Sequence, residues 1–310
     1  MDFISRVVPE LRPILSLLPP IHLPGDLAMI RQAPIPPAQE SEDVITISRH
    51  ISGAAGQEML VKIYEPRNRN QAALPALLWI HGGGYVIGHP NMDDGLCQTF
   101  AITANCIVVS VDYRLAPEHP YPAAIEDCYK ALKWMSDNSD ELNIDVTRIA
   151  IAGASAGGGL TAALALMARD KGGPSIVFQM PLYPMIDDRN TTPSSYEITD
   201  ERATWNRSKN TAAWSMYLGE HADGEISQYA APARAHNLAG LPPTYTCVGQ
   251  LDTFRDETIE YVARLAQSGV DVEFQLYPGC FHGFESVVPN AKVSQHARNE
   301  YVNALAAALK

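Results

Sequence analysis

The sequence has little that could anchor the chain in a membrane or export it. No apolar run approaches the roughly 18 uninterrupted residues of a membrane-spanning helix. The apolar early stretch, residues 7–23, is broken by a glutamate, an arginine and four prolines, so it does not predict a signal peptide. We therefore expect a cytoplasmic protein without integral membrane association.

Positive charge is also scarce. The chain has 23 Lys and Arg residues against 35 Asp and Glu residues, which gives a formal net charge of −12. Such a field repels the phosphates of nucleic acids and of anionic membrane surfaces. A nucleic-acid partner is therefore not expected.

Paired cysteines are missing as well. The five cysteines are odd in number and widely spaced, with no Cys-x-x-Cys pair that would indicate a zinc site or a redox dithiol. A reducing compartment is the simpler interpretation. They are Cys97, Cys106, Cys128, Cys247 and Cys280.

Apolar material, by contrast, is plentiful. Hydrophobic residues make up 46% of the 310 positions, which excludes wholesale disorder and allows one large domain with a lid or two domains. Residues 1–43 differ from the rest because they hold 8 of the 23 prolines. This density predicts short helical pieces that pack onto the remainder of the chain.

From residue 44 onward, strand and helix patterns alternate. Residues 44–48 and 60–64 alternate with period two, as half-buried antiparallel strands do, and later apolar runs are continuous, as in a buried parallel sheet. The continuous runs and further strands are predicted at residues 74–80, 106–111, 148–152, 176–180, 244–248 and 272–277. Helical patterns are predicted at residues 123–135, 160–167, 255–267 and 293–309. The expected fold class is α/β, with a mostly parallel sheet of about eight strands flanked by helices.

One interval interrupts this alternation. Residues 185–240 contain Trp205 and Trp214 among many polar residues but no clear strand, which predicts an inserted helical segment. Because α/β sheets support many chemistries, the activity must be inferred from motifs.

A candidate nucleophile follows the predicted strand that ends near residue 152. Residues 153–157 read Gly-Ala-Ser-Ala-Gly and lead into a helical pattern, which places Ser155 in a G-x-S-x-G motif between strand and helix. The flanking glycines are needed because side chains there would collide with neighbouring backbone in so sharp a turn. A dinucleotide-binding loop is a poor alternative, since its motif requires glycine where Ser155 stands.

Backbone donors for an oxyanion are predicted at the end of another strand. Residues 82–84 are three consecutive glycines, whose amides can approach a ligand without side chains in the way. Together with the amide of Ala156, they can stabilise the negative oxygen of a tetrahedral intermediate. His81, just before them, is expected to be a structural hydrogen-bonding residue of this loop.

A serine hydroxyl needs a histidine base and a carboxylate that orients the imidazole. Of nine histidines, only His282 follows a late strand, at the sheet edge where catalytic groups gather. Asp252 is the first acid after strand 244–248, whereas Asp256 and Glu257 begin a helix whose dipole favours acidic residues. The order Ser155, Asp252, His282 is that of α/β-hydrolases.

These motifs together resemble the bacterial hormone-sensitive-lipase family of carboxylesterases, the family IV lipolytic enzymes. The resemblance covers about residues 40–310 and rests on residues 81–84, 112–124, 153–158, 252–257 and 282–284. It implies an α/β-hydrolase catalytic domain at residues 44–184 and 216–310, with a cap built from residues 1–43 and an insertion at 185–215. It also implies oxyanion donors at Gly83, Gly84 and Ala156. Ala154, where Asp or Thr is usual, and Thr253-Phe254, where Pro-Leu is common, leave the subfamily open.

The expected activity is hydrolysis of short- to medium-chain carboxylic esters through an acyl-enzyme, with no metal or cofactor. Tyr85, Trp205 and Trp214 are predicted to line an apolar substrate pocket, with Tyr85 at its entrance. Cys280 is expected to be a buried filler and not a second nucleophile. The alternatives are an amidase or peptidase with the same triad, and a non-catalytic receptor that closes its cap over a ligand. Family members often form homodimers, so a homodimer is also expected.

Overall fold

A single mixed sheet organises the chain. The structure is a computed structural model that describes residues 2–39, 41–69 and 73–310. Within these residues the sheet has eight strands in the order β1-β2-β4-β3-β5-β6-β7-β8. The strands are β1 Val44–Ser52, β2 Glu58–Pro66, β3 Leu74–Ile80, β4 Ile107–Val111, β5 Ile144–Ala154, β6 Phe178–Leu182, β7 Thr244–Leu251 and β8 Val272–Phe281.

Strand direction follows the predicted patterns. β2 runs antiparallel to both β1 and β4, whereas every pair from β4 to β8 is parallel. The predicted antiparallel opening and parallel sheet are therefore confirmed. Because β3, β5, β6, β7 and β8 share one direction, their carboxyl ends meet along one edge of the sheet.

Helices flank the sheet and form the irregular regions. They are α1 Phe3–Arg6, α2 Arg12–Leu15, α3 Leu27–Gln32, α4 Asp94–Thr103, α5 Ala123–Asp137, α6 Ser139–Leu142, α7 Ala156–Lys171, α8 Pro193–Glu197, α9 Arg207–Leu218, α10 Arg255–Gln267, α11 Phe284–Val287 and α12 Lys292–Ala308. In the described ranges, none of them has the length and apolar character needed to cross a bilayer.

The sheet separates two hydrophobic cores, and β3 contributes to both. Leu77 and Trp79 face a core shared with α4 and α12, while Leu78 and Ile80 face one shared with α5, α7 and α10. All four side chains are fully buried. This burial on both sides explains why the strand reads as a continuous apolar run.

The N-terminal segment forms short helices, as its prolines predict. Phe3, Val7, Leu11 and Leu15 pack into the core of α4 and α12, so α1 and α2 are anchored to the body of the protein. Residues 1 and 40 of the predicted 1–43 segment lie outside the described residues.

The predicted insertion is helical, in agreement with its pattern. It contains α8 and most of α9, and α9 continues to Leu218, past the predicted end of the insertion at residue 215. No strand occurs between β6 and β7 in this described part of the chain.

Candidate active site

The G-x-S-x-G motif forms the turn between β5 and α7. Ser155 has φ 59° and ψ −118°, a strained conformation for a residue with a side chain. A Cβ atom on Gly153 would lie 2.5 Å from the carbonyl oxygen of Ile80, and one on Gly157 only 2.0 Å from the same atom. Glycine is therefore required at both flanking positions, as the sequence predicts.

The glycine loop after β3 lies against this turn. A Cβ atom on Gly82 would lie 3.4 Å from Cβ of Ser155, and Gly83 and Gly84 adopt φ values of 118° and 61°. Within the described residues, the amides of Gly83 and Gly84 have no hydrogen-bond acceptor. Ala156 is the first residue of α7, so its amide has no acceptor within the helix. These free donors next to Ser155 suit an oxyanion.

The structure brings together the side chains of Ser155, His282 and Asp252, which the sequence predicts as nucleophile, base and orienting acid. Nε2 of His282 lies 2.9 Å from Oγ of Ser155, and Nδ1 lies 2.7 Å from Oδ2 of Asp252. The amide of Phe254 donates to the other carboxylate oxygen, Oδ1, at 2.9 Å. Asp252 is fully buried, whereas Ser155 and His282 keep 7% and 8% of their surface exposed.

This arrangement fixes the tautomer of the imidazole. An ionised carboxylate only accepts hydrogen bonds, so Nδ1 of His282 carries the proton that faces Asp252. Nε2 is then free to accept from the hydroxyl of Ser155. The imidazole can therefore take the proton of the serine when its oxygen attacks a carbonyl.

The two neighbouring acids have other partners. Asp256 accepts a hydrogen bond from the amide of Ser194 at 2.6 Å. Glu257 is buried, which raises the pKa of its carboxyl, and it accepts from the amides of Ile186 and Asp187. Neither acid contacts the imidazole, so Asp252 is the carboxylate that the geometry selects.

Aromatic rings surround the imidazole. Tyr183 and Phe254 lie nearly perpendicular to it, with ring centroids 5.1 Å and 5.0 Å away, and Trp205 lies at 6.3 Å. The sequence reasoning missed Tyr183. Its signal was its position directly after β6, at the same sheet edge as the three candidate residues.

Trp205, one of the residues predicted to line a substrate pocket, is 8% exposed and lies beside the imidazole. A Cβ atom on Gly84 would lie 2.4 Å from the Trp205 ring, which is also beside His282. The indole nitrogen donates to Oδ1 of Asn210 at 3.2 Å, which fixes the ring plane. Trp205 therefore borders both the oxyanion loop and the imidazole.

Tyr85 lies elsewhere than predicted. Its side chain is only 1% exposed, and its hydroxyl donates to the carbonyl of Met185 at 2.6 Å. The ring stacks on Tyr217 at 3.9 Å and lies 5.5 Å from Trp214, which is also buried. The prediction that Tyr85 borders the entrance is wrong, because the loop turns this side chain into the core.

His81 has the structural environment that was expected. It is fully buried, its Nδ1 lies 2.8 Å from the carbonyl oxygen of Gly82, and its ring stacks on Tyr113 at 4.3 Å. Burial lowers the pKa of His81 to about 4, so the ring is neutral. Its Nδ1 contact shapes the glycine loop, and within the described residues no hydrogen bond joins the ring to Ser155.

The cysteines do not add a second nucleophile. All five are free thiols and buried, and burial raises the pKa of Cys280 to about 12. A thiol with so high a pKa is protonated near neutral pH and reacts poorly. In the described residues, no cluster of three or more His, Cys, Asp or Glu side chains is arranged to hold a metal ion.

Known proteins similar in sequence to this chain belong to an α/β-hydrolase family and include esterases. A sequence profile of a family described as alpha/beta hydrolase fold matches residues 77–286. The chain is 42% identical over 266 residues to "Esterase LipI" of Mycobacterium tuberculosis, covering 84% of this chain and 82% of that protein. It is 38% identical over 275 residues to "Carboxylesterase NlhH" of the same species, covering 85% and 83%.

Solved structures agree with these sequence matches. A structure described as "Bacterial Heroin Esterase" superposes with a TM-score of 0.90 and 37% identity, covering 100% of both chains. The esterase LipW from Mycobacterium marinum superposes with a TM-score of 0.86 and 34% identity, covering 98% of this chain and 96% of that one.

Proposed function

Since this chain is a carboxylesterase that belongs to the hormone-sensitive-lipase family of the α/β-hydrolase fold, we propose that Ser155, His282 and Asp252 are its catalytic triad. The observation that carries the proposal is the unbroken line of hydrogen bonds from Asp252 through His282 to Ser155, at 2.7 Å and 2.9 Å. The relatives are known as esterases and a carboxylesterase, which favours ester hydrolysis over an amidase or a receptor.

In the acylation step, Oγ of Ser155 attacks the carbonyl carbon of the ester while Nε2 of His282 takes the hydroxyl proton. The carbonyl oxygen becomes negative and accepts hydrogen bonds from the amides of Gly83, Gly84 and Ala156. The bond between the carbonyl carbon and the alcohol oxygen then breaks, and the imidazolium returns the proton to the leaving alkoxide. The products are the free alcohol and an acyl ester of Ser155.

In deacylation, water replaces the alcohol. His282 takes a proton from the water as its oxygen attacks the acyl carbon, and the same amides stabilise the second oxyanion. When this intermediate collapses, the bond between the acyl carbon and Oγ of Ser155 breaks, and the imidazolium returns its proton to Oγ. The products are the carboxylic acid and the restored hydroxyl of Ser155. Asp252 stabilises the imidazolium in both steps because it stays ionised against Nδ1.

We further propose that residues 1–43 and 185–215 act as a cap that limits the acyl chain to short or medium length. The support is Trp205, a large ring from the insertion that lies beside both the oxyanion loop and the imidazole. Hydrolysis of p-nitrophenyl esters from acetate to palmitate tests this limit. Turnover that rises steadily toward palmitate would refute it. A homodimer and a cytoplasmic location stay predictions from the sequence.

The triad is tested by Ser155→Ala with Ser268→Ala as a control, because the Ser268 hydroxyl only caps the end of α10. Ser155→Ala is expected to lower kcat by a factor of about 10⁶, and Ser268→Ala to leave it unchanged. A fluorophosphonate probe should label wild-type protein at Ser155 and leave Ser155→Ala unlabelled. Hydrolysis by Ser155→Ala at a near wild-type rate would identify another nucleophile.

A further inference from the structure

One hydrogen bond links the inserted segment to the backbone of the proposed base. The hydroxyl of Thr204, which lies between α8 and α9, donates to the carbonyl oxygen of His282 at 2.6 Å. The two residues are 78 positions apart in the chain. The insertion therefore contacts the main chain of His282, in addition to lying near its imidazole ring.

The carbonyl of His282 depends on this contact. His282 follows β8 directly, Gly283 adopts a left-handed conformation with φ 66°, and α11 begins at Phe284. Among residues 2–39, 41–69 and 73–310, Thr204 provides the hydrogen bond to this carbonyl. Without the hydroxyl, the carbonyl of a largely buried residue would lose its partner, and the loop could shift to find another.

A buried lysine holds the segment that carries Thr204. The ammonium of Lys209 donates to the carbonyl oxygens of Ala203 at 2.8 Å and Thr204 at 3.4 Å. Lys209 is only 5% exposed, and burial lowers the pKa of its ammonium, an effect that the negative charge of Glu201 partly opposes. A buried charge is costly unless it is hydrogen-bonded, so these carbonyls are needed where they are. The Lys209 hydrogen bonds therefore hold the segment that contains Thr204 against helix α9.

The neighbouring residue contacts the rest of the site. Trp205 lies 6.3 Å from the imidazole, ring to ring, and would block a Cβ atom on Gly84. The pair Thr204-Trp205 thus reaches the loop of the base, its ring and the oxyanion loop. A displacement of Thr204 and Trp205 would therefore change the surroundings of the base, its loop and the oxyanion loop.

We propose that Thr204 is a positioning residue whose hydroxyl holds the His282 loop in register with Ser155 and so couples the placement of the insertion to a competent base. This inference rests on the proposed triad. Because His282 acts in both acylation and deacylation, loss of its alignment lowers kcat. Binding of a small ester changes little, because Thr204 contacts the base through its backbone.

The decisive variant is Thr204→Val, which keeps the shape of the side chain and removes the donor. A misplacement of about 1 Å in an active site can cost about 100-fold in rate, so kcat is expected to fall about 10- to 100-fold. KM for p-nitrophenyl acetate is expected to stay within about threefold of wild type. Thr204→Ser restores the hydroxyl and should restore kcat to within about threefold.

A matched control is Thr192→Val in the same insertion. The hydroxyl of Thr192 accepts from the amide of Ser195 and caps α8, without reaching His282. This variant removes a cap of α8 and leaves the Thr204 segment with its own contacts, so kcat should stay within about threefold of wild type. The NMR resonance of the proton between His282 and Asp252 should shift in Thr204→Val and stay in place in Thr192→Val.

Several outcomes would overturn the proposal. They are wild-type kcat in Thr204→Val, an equal loss in Thr192→Val, a serine variant no better than the valine variant, or a change confined to KM. Should Thr204→Val fail to fold, Lys209→Met loosens the same segment, and unchanged kcat in it would count equally against the idea. Failure of the triad itself is recognised separately, because Ser155→Ala would then remain active.

Discussion

Replacement of Asp252 by asparagine keeps the shape of the side chain but removes the negative charge that orients the imidazole. Oδ1 of Asp252 accepts from the amide of Phe254, and Oδ2 faces Nδ1 of His282. In Asp252→Asn, the amide oxygen keeps the contact with Phe254, so the NH₂ group must face Nδ1. Nδ1 then has to accept a hydrogen bond, and the ring proton moves to Nε2.

That proton lies on the side of the imidazole that must accept from Ser155, which is only 2.9 Å away. The base is therefore blocked by the wrong tautomer while the geometry of the site stays intact. The expected loss is about 10⁴ in kcat, equivalent to about 5 kcal/mol in the barrier. KM and the unfolding temperature should change little by comparison.

The assay is steady-state hydrolysis of p-nitrophenyl acetate at about pH 8, with circular dichroism to confirm folding. Asp256→Asn is the matched control, because its side-chain oxygen can still accept from the amide of Ser194. It is expected to retain kcat within about threefold. The reasoning would be refuted if Asp256→Asn were inactive while Asp252→Asn kept at least a tenth of wild-type activity.

Three further predictions concern stability. Gly157→Ala should destabilise the fold by about 1–3 kcal/mol or more, because its Cβ atom would lie 2.0 Å from the backbone oxygen of Ile80. Gly95→Ala in α4, with nothing within 4 Å, should stabilise it by about 0.5–1 kcal/mol, and thermal unfolding that ranked them oppositely would contradict this account. Burial lowers the pKa of His81 in the folded protein to about 4, from its ordinary value of 6.5. As the pH falls from 6.5 toward 4, the unfolded chain therefore takes up the proton first, and the free energy of unfolding decreases. Between about pH 8 and pH 5 this loss is about 2 kcal/mol, and urea unfolding of His81→Asn should show a correspondingly smaller loss than wild type.

The sheet could be predicted from the sequence because its strands carry their own patterns. β3 and β4 read as continuous apolar runs since both of their faces are covered, and that pattern is local. The start of α7 could not be predicted in the same way. Gly158 and Gly159 weaken the helical pattern, so it reads as a helix only from Leu160, whereas the helix begins at Ala156.

Contacts with β6 and with the residues just after it explain those glycines. A Cβ atom on Gly158 would lie 2.8 Å from the carbonyl oxygen of Leu182, and one on Gly159 would lie 2.1 Å from that of Met185. Close packing against a distant segment therefore overrides local propensity. Helix α4 was missed for a related reason, since it is recognised only once Cys97 and its neighbours are packed beneath the sheet.

The candidate triad was accessible to sequence reasoning because each member follows a strand at one sheet edge. Thr204 was not, and the reason is geometric. A hydroxyl that reaches a carbonyl 78 positions away leaves no periodicity in the sequence. The side chain of Tyr85 was misplaced because a left-handed backbone, with φ 64°, turns it inward.

The hydroxyl, imidazole and carboxylate come from the ends of β5, β8 and β7, and Ser155 and His282 are 127 positions apart. No shorter stretch of the polypeptide contains all three of these groups. A nascent or partly refolded chain with any of these strands undocked is therefore expected to be inactive, however much helix it has formed. Recovery of hydrolysis after denaturation can thus serve as a late marker of the finished sheet, and it should lag behind the return of the far-ultraviolet helical signal.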